Sequence, residues 1–427
     1  MSKSTEASGA DPIASATGEW RRGGPVVLAA GASYGVSTFH VASLGALIAP
    51  LAARFGWSRG EITGALMFLG FSAIVLNPLA GKLVDRFGAR RIALAGIWTY
   101  AVTLCGLGLT GPSLGSWYVA WAALALFFPL MCPLVWTAGV VGNFTRRRGL
   151  ALGLMLTGSG VAAALTPPIT VAALQQFGWR EAYFLLAALG IAITLPLTLL
   201  FFRDGRAARG AADSAAPAGA PGMTLAQAVR TPQFWKLGVA LMTAGGVANA
   251  LQVHLQPMLI DGGASAANAA AMAAVIGPAL IVGRLTVGFL LDRVFGPLVA
   301  AAALLLPILS MTLLLGYDGT LWRGMLVAAA LGLAYGAEID LLAYLSSRYF
   351  GVRNYASIFG ALLGLFSFGF ALSPMAAGVV FDTAGSYDRA LLTMMVLSVV
   401  MAALVLTTGR YPKAFPDGAA IGPRSEG

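Results

Sequence analysis

The sequence predicts an all-α membrane protein, twelve transmembrane helices arranged as two pseudo-symmetric six-helix bundles. Three observations predict it. Of its 427 residues, 58% are hydrophobic and 10% charged, whereas soluble domains carry roughly 25% charged residues. The apolar residues gather in runs of about 20 or more, long enough at 1.5 Å per residue to cross a ~30 Å hydrocarbon layer. These runs also fall into two sets that match each other in register.

The elements follow in chain order. Residues 1–23 form a polar tail without a short apolar segment and cleavage site, so no signal peptide is expected and the first span serves as its own insertion signal. Spans at 25–53, 60–80, 92–111, 116–141, 150–176 and 182–202 make the first bundle, 24–202. "RDGRAARGAADSAAPAGAPG", Arg203 to Gly222, is rich in Ala, Gly and Pro and reads as a flexible linker. A Thr224-x-x-Gln227 capping box then starts a short surface helix that stops at Thr231-Pro232. The linker thus covers 203–232. Spans at 234–258, 264–289, 297–316, 321–347, 354–379 and 387–409 make the second bundle, 233–410, before a tail at 411–427.

A net charge of +10 raises the question of nucleic acid. Most of the 27 basic residues, however, lie in the tails and in alternate connections. Arg54, Arg59, Arg180, Arg323 and Arg389 are the basic residues of the opposite side. This is the positive-inside pattern, which places both termini in the cytoplasm of a multi-pass cell-membrane protein. The charge is a topology signal, and no nucleic-acid partner is expected. Cys105 and Cys132 both sit in apolar runs, so neither a disulfide framework nor a metal cluster is expected, and no cofactor.

The halves repeat. Pro50 matches Pro257, Ser58 matches Ser265, Gly81 matches Gly288, Asp85 matches Asp292 and Arg86 matches Arg293. With a shift of one, Phe144 matches Phe350 and Arg147 matches Arg353. Parallel six-helix repeats of this kind build secondary transporters of the major facilitator type. "GKLVDRFGARR", with Gly81, Asp85, Arg86, Gly88, Arg90 and Arg91, resembles the loop between the second and third helices that marks that superfamily. A plain charge anchor explains the arginines, but not the aspartate or the glycine spacing. Such a segment is expected to latch the two halves together on the cytoplasmic side and to release as they rock. Its copy at Gly288, Asp292 and Arg293 has Phe295 where the first has Gly88, so the second latch is expected to differ in shape.

Polar residues inside the spans carry the functional expectation. An arginine at mid-bilayer costs roughly 2.5–3.5 kcal/mol and so usually faces a cavity or a partner. Arg284 lies eight residues before Asp292, about 12 Å from the membrane rim. Its guanidinium is suited to a substrate carboxylate, or else to a structural pair with Glu338 or Asp340. His254 precedes Pro257 by one turn, and His40 lies on the first span; both are candidate site residues, with hydrogen-bonded packing as the alternative. Tyr335 shares a face with Glu338, while Asp340 points about 200° away from Glu338. One of these two acids is a candidate proton carrier. Asn77 matches Arg284 in the repeat and is expected to supply a neutral polar group from the other half. Pro167-Pro168 is expected to interrupt the hydrogen-bond ladder of the fifth span and to kink it, with bending as the halves rock as the alternative.

"NFTRRRGLALGLMLTGSG", Asn143 to Gly160, resembles the loop-to-fifth-helix motif of the monocarboxylate transporter family. "GWSRGEI" and "RYFGVRNYASIFG" resemble bacterial members of that branch and their oxalate–formate exchanger relatives. The resemblance implies that Arg284 binds the anion and that His254 and Tyr335 belong to the site. It also implies proton coupling. The family's acid one turn before the arginine is Leu280 here, and "AGASYGV" lacks the acid and tryptophan of the first-helix motif. Glu338 or Asp340 would therefore have to carry the proton.

The expectation is a secondary active transporter of a small organic anion, a monocarboxylate above all, acting as a monomer by alternating access. Efflux of another metabolite or a drug is the alternative, although the Gly-Pro-x-x-Gly-Gly pattern of drug–proton antiporters is absent from the fifth span. A non-transporting sensor would need an output domain larger than the tail at 411–427. An enzyme is not expected, since no phosphate loop, metal set or nucleophile–base pair is legible.

Overall fold

The computed structural model describes residues 12–144, 148–204, 222–291, 293–351 and 353–412. Among these residues the chain is helical throughout, with one isolated bridge between Gly222 and Gly351. The first half contains α1 (Pro12–Val36), α2 (Phe39–Phe55), α3 (Arg59–Gly64), α4 (Met67–Phe87), α5 (Ala89–Gly108), α6 (Leu114–Phe127), α7 (Pro133–Asn143), α8 (Arg148–Gln176) and α9 (Trp179–Leu200). The short α10 (Leu225–Val229) leads into the second half. There follow α11 (Pro232–Asp261), α12 (Ala266–Ala274), α13 (Ile276–Leu291), α14 (Gly296–Leu314), α15 (Leu321–Phe350), α16 (Tyr355–Ala384) and α17 (Asp388–Leu406).

Several helices are pieces of one broken span. Glu19–Phe55 crosses as α1 plus α2, and the stretch from α3 through α4 is bent by 41° between Arg59–Ala73 and Val75–Val84. Among the described residues ten helices are long and apolar enough to span a membrane, or eleven if that bent pair counts as one. The seventh expected span is the 30-residue α11. It has the length, but Asn249, Gln252, His254 and Gln256 make it too polar to be counted with the rest.

Breaks in a lipid-embedded helix leave backbone groups that must find partners inside the protein. Between α1 and α2, the Ser37 and Thr38 hydroxyls donate to the carbonyls of Tyr34 and Gly35, both at 2.7 Å. At the break between α3 and α4, the Trp117 indole donates to the Ile62 carbonyl at 3.0 Å. Beside the 3-10 turn Phe128–Leu130 that precedes α7, Trp136 donates to the Met131 carbonyl at 2.9 Å. The fifth span does not break where Pro167 and Pro168 fall: α8 runs through both from Arg148 to Gln176. Glycines let it cross its neighbours closely, since a side chain on Gly158 would run into the Gly31 carbonyl.

The repeat has a physical basis. Ser58 and Ser265 both cap the helix that opens the second span of their half, accepting from Glu61 N–H at 3.1 Å and from Asn268 N–H at 3.2 Å. The Thr224–Gln227 capping box is formed as the sequence indicates.

The halves meet at one end and part at the other. A side chain on Gly60 would lie 2.8 Å from Val379, one on Gly64 3.5 Å from Met375, and one on Gly70 against Ala371, so α3–α4 and α16 are in contact there. Further along the same pair, Gly81, Gly360 and Gly364 have nothing within 4 Å of an added side chain. The α8–α13 pair behaves alike: Gly160 and Gly277 touch, whereas Gly153 and Gly288 face open space. The bundles therefore form a V that is shut at the Arg59 end and open at the end of the basic loops.

Candidate functional site: a chamber between the halves

A cavity of about 320 Å³ lies in the cleft. Helix breaks border it on the first-half side, through Tyr34, Ser37 and Thr38 at one break and Phe128, Cys132 and Pro133 at another. The second half contributes α11, α13, α15 and α16. Of the residues expected at a site, Arg284, Tyr335, Asn77, His40 and Glu338 border this cavity. His254 and Asp340 do not.

Arg284 stands on α13, which packs closely on α15 because Gly283 and Gly336 let the two backbones touch. Its Nε approaches Asp340 Oδ2 at 3.3 Å, an ion-pair distance. Its Nη1 is buried without a hydrogen-bond partner. One edge of the guanidinium thus leans on a fixed counter-ion while Nη1 remains free to donate. The Glu338 carboxyl is buried on the cavity wall, and its Oε2 is unpartnered. The two acids on α15 are thereby told apart: Asp340 holds the arginine and Glu338 faces the cavity.

His40 is held rather than free. Its Nδ1 lies 3.0 Å from the Tyr100 hydroxyl, and its ring packs on Phe128 with centroids 5.0 Å apart. Sequence reasoning did not single out Tyr34, Asn249 and Gln252, which also border the cavity. Asn249 and Gln252 are one turn apart on α11, and that spacing in an otherwise apolar helix was the available signal.

His254 belongs to the shut end. Its Nε2 donates to the Pro374 carbonyl at 2.8 Å. A carbonyl can only accept, so in the neutral ring Nδ1 accepts from the Tyr387 hydroxyl at 2.7 Å. Tyr387 in turn accepts from Arg59 Nη1 at 3.1 Å. Arg59 also grips Asp261 through both terminal nitrogens, at 2.7 and 2.9 Å, and stacks 3.8 Å over the Phe381 ring. Asp382 accepts from the backbone N–H groups of Arg59 and Gly60 at 2.9 and 2.8 Å, an acid at a helix N-terminus. Every one of these bonds to Arg59 or Gly60 crosses from the first half to the second.

The segments expected to latch make contacts within their own halves. Gly88 has φ of 86° and sits against Asp204, which accepts from the Arg90 N–H at 2.9 Å. The Arg90 side chain reaches the Leu199 carbonyl at 2.6 Å, Arg86 stacks on Phe87 and Arg293 on Phe289. Arg91 is exposed. Asp292 and the Asp85 side chain lie outside the described residues.

A chamber with a few polar groups set in apolar walls lies between the two helix bundles, shut at one end and open at the other. The sequence pattern of the Major Facilitator Superfamily matches residues 30–363, and the chain belongs to that family of carriers rather than to the enzymes. Human monocarboxylate transporter 11 is 29% identical over 406 residues, covering 89% of this chain and 81% of the relative. The uncharacterized MFS-type transporter YhjX of Escherichia coli is 26% identical over 350 residues, 78% of this chain and 80% of the relative. Among solved structures, nucleoside transporter NupG superposes with a TM-score of 0.74 at 14% identity, over 91% of this chain and 99% of that one. A bacterial homolog of the human lysosomal transporter Spinster gives 0.62 at 17% identity, over 94% and 95%. At these identities the two structures show the fold alone.

Proposed function

We propose that this carrier moves a small organic anion, above all a monocarboxylate, across the cell membrane by alternating access. The observation that carries the reading is Arg284, which borders the chamber with Nη1 unsatisfied. A buried donor on a charged group is costly to leave unmade, and a carboxylate of the cargo would complete it. Tyr335 and Asn77 border the same space and would add neutral contacts from each half. The similarity to monocarboxylate transporter 11 supports the same substrate class.

The positive-inside distribution supports placing the open end and both termini in the cytoplasm, so that the V is an inward-facing state. Glu338 is the candidate for a coupled proton. No cationic side chain lies within ion-pair reach of it among the described residues. A proton or a positive group of the cargo would supply the missing counter-charge. Asp340, already paired with Arg284, is assigned a holding role instead.

Uptake of a panel of labelled carboxylates into proteoliposomes, with and without a pH gradient, tests the reading. Saturable uptake of at least one monocarboxylate is expected. Transport confined to uncharged solutes would overturn it.

A further inference from the structure

The hydrogen-bonding balance of the chamber and the nature of its walls narrow the cargo. This inference rests on the monocarboxylate reading and deepens it. Around the cavity, four buried oxygens lack a partner: Asn77 Oδ1, Asn249 Oδ1, Gln252 Oε1 and Glu338 Oε2. Asn249 is the most constrained. Its amide nitrogen donates to the Phe370 carbonyl at 2.6 Å, which fixes the amide and leaves its oxygen as an acceptor with nothing to accept. Native interiors rarely leave such atoms unmatched. On the donor side stands Arg284 Nη1. A bare carboxylate would satisfy the arginine and add further acceptors, leaving the amide oxygens unmet. A cargo that also carries an N–H or O–H beside its carboxylate would answer both sets.

The remaining walls are apolar, and part of them is aromatic. Phe366, Phe370 and Tyr335 form a continuous row in the second half, with ring centroids 6.0 and 6.5 Å apart. Tyr34 and Phe128 face the cavity from the first half. Rings of this kind favour an edge or an offset face of another ring between them. The 320 Å³ of space lies at the lower end of the ~300–1,000 Å³ typical of pockets for drug-sized ligands. A three-carbon acid would leave the aromatic row uncovered.

From these two features we infer that the cargo is an aryl-bearing monocarboxylate with a hydrogen-bond donor on the carbon next to its carboxylate. The carboxylate lies on Arg284, the donor toward the Asn249 and Gln252 oxygens one turn apart on α11, and the ring against Phe366, Phe370 and Tyr335.

Calorimetric binding to the purified full-length protein tests this with five probes: 3-phenyllactate, phenylalanine, 3-phenylpropionate, lactate and 2-phenylethanol. Either 3-phenyllactate or phenylalanine should bind at least tenfold more tightly than both lactate and 3-phenylpropionate. Phe370→Ala should reduce that preference over lactate to about threefold or less, and Phe366→Leu, which keeps the bulk, should reduce it in the same direction. Lactate binding as well as the best aryl acid would overturn the inference while leaving the monocarboxylate reading in place. Equal binding of 3-phenylpropionate would overturn the donor assignment. If 2-phenylethanol matched the acids, the carboxylate reading itself would fall.

Discussion

The Arg59 guanidinium of the first half holds the Asp261 carboxylate of the second through two hydrogen bonds, 2.7 and 2.9 Å long. This pair is the head of a chain that runs through Tyr387 and His254 to the Pro374 carbonyl, where the Thr63 hydroxyl also donates at 3.1 Å. It closes the end of the V away from the basic loops. Any state in which the chamber opens at that end must break it.

Removing the pair is therefore expected to favour the opposite state. Asp261 is 38% exposed, so solvent screens the interaction, and about 1 kcal/mol is a reasonable worth. That corresponds to a population shift of about fivefold. Cys132 borders the chamber and reports it. In a Cys105→Ser background, Arg59→Ala should raise labelling of Cys132 by a membrane-impermeant maleimide applied from outside. The double exchange Arg59→Asp with Asp261→Arg should bring labelling back down. Unchanged labelling would remove Arg59 from the gate.

Glycines at the two ends of the V should act in opposite directions. A Val at Gly277 would drive into the Gly160 carbonyl of the other half and prise the shut end apart, raising outside labelling of Cys132 severalfold. A Val at Gly81 meets nothing within 4 Å here, so the unfolding midpoint should stay within about 1 °C. It should nevertheless slow transport severalfold, because the open end must close around that position. Normal turnover in Gly81→Val would show that the open end never packs there.

How much of this could be read in the sequence depends on the kind of signal. Arg284 and Glu338 were legible because charge in a greasy span is costly, and the Ser58–Ser265 match marked two equivalent helix caps. Helical periodicity separated Glu338 from Asp340 but could not say which faced the chamber. Only the close packing of α13 on α15 decides that. Arg59 counted only as a basic residue of the opposite side, and Asp261 and Asp382 drew no notice, since the contact joins residues far apart in the chain. His254 drew notice through Pro257, yet its partners are Tyr387 and Pro374, behind the chamber. The prolines of α8 remove backbone donors yet leave the helix continuous, because neighbouring helices hold it through the lost bonds.

Glu338 offers a test of coupling separate from binding. If it carries a proton with the cargo, Glu338→Gln should lose the stimulation of uptake by an acid-outside gradient while residual exchange persists. The readout is the ratio of uptake with and without the gradient. The same gradient stimulation in the variant and the wild type would assign the proton elsewhere.

The central claim is that the free edge of Arg284 receives the carboxylate of the cargo. Initial uptake of a labelled monocarboxylate into proteoliposomes, normalised to reconstituted protein, tests it most directly. Losing one partner of a buried charged pair costs about 2–5 kcal/mol, so Arg284→Ala should lower kcat/KM at least about thirtyfold, with Arg284→Lys recovering only part. Uptake at the wild-type level in Arg284→Ala would contradict the account.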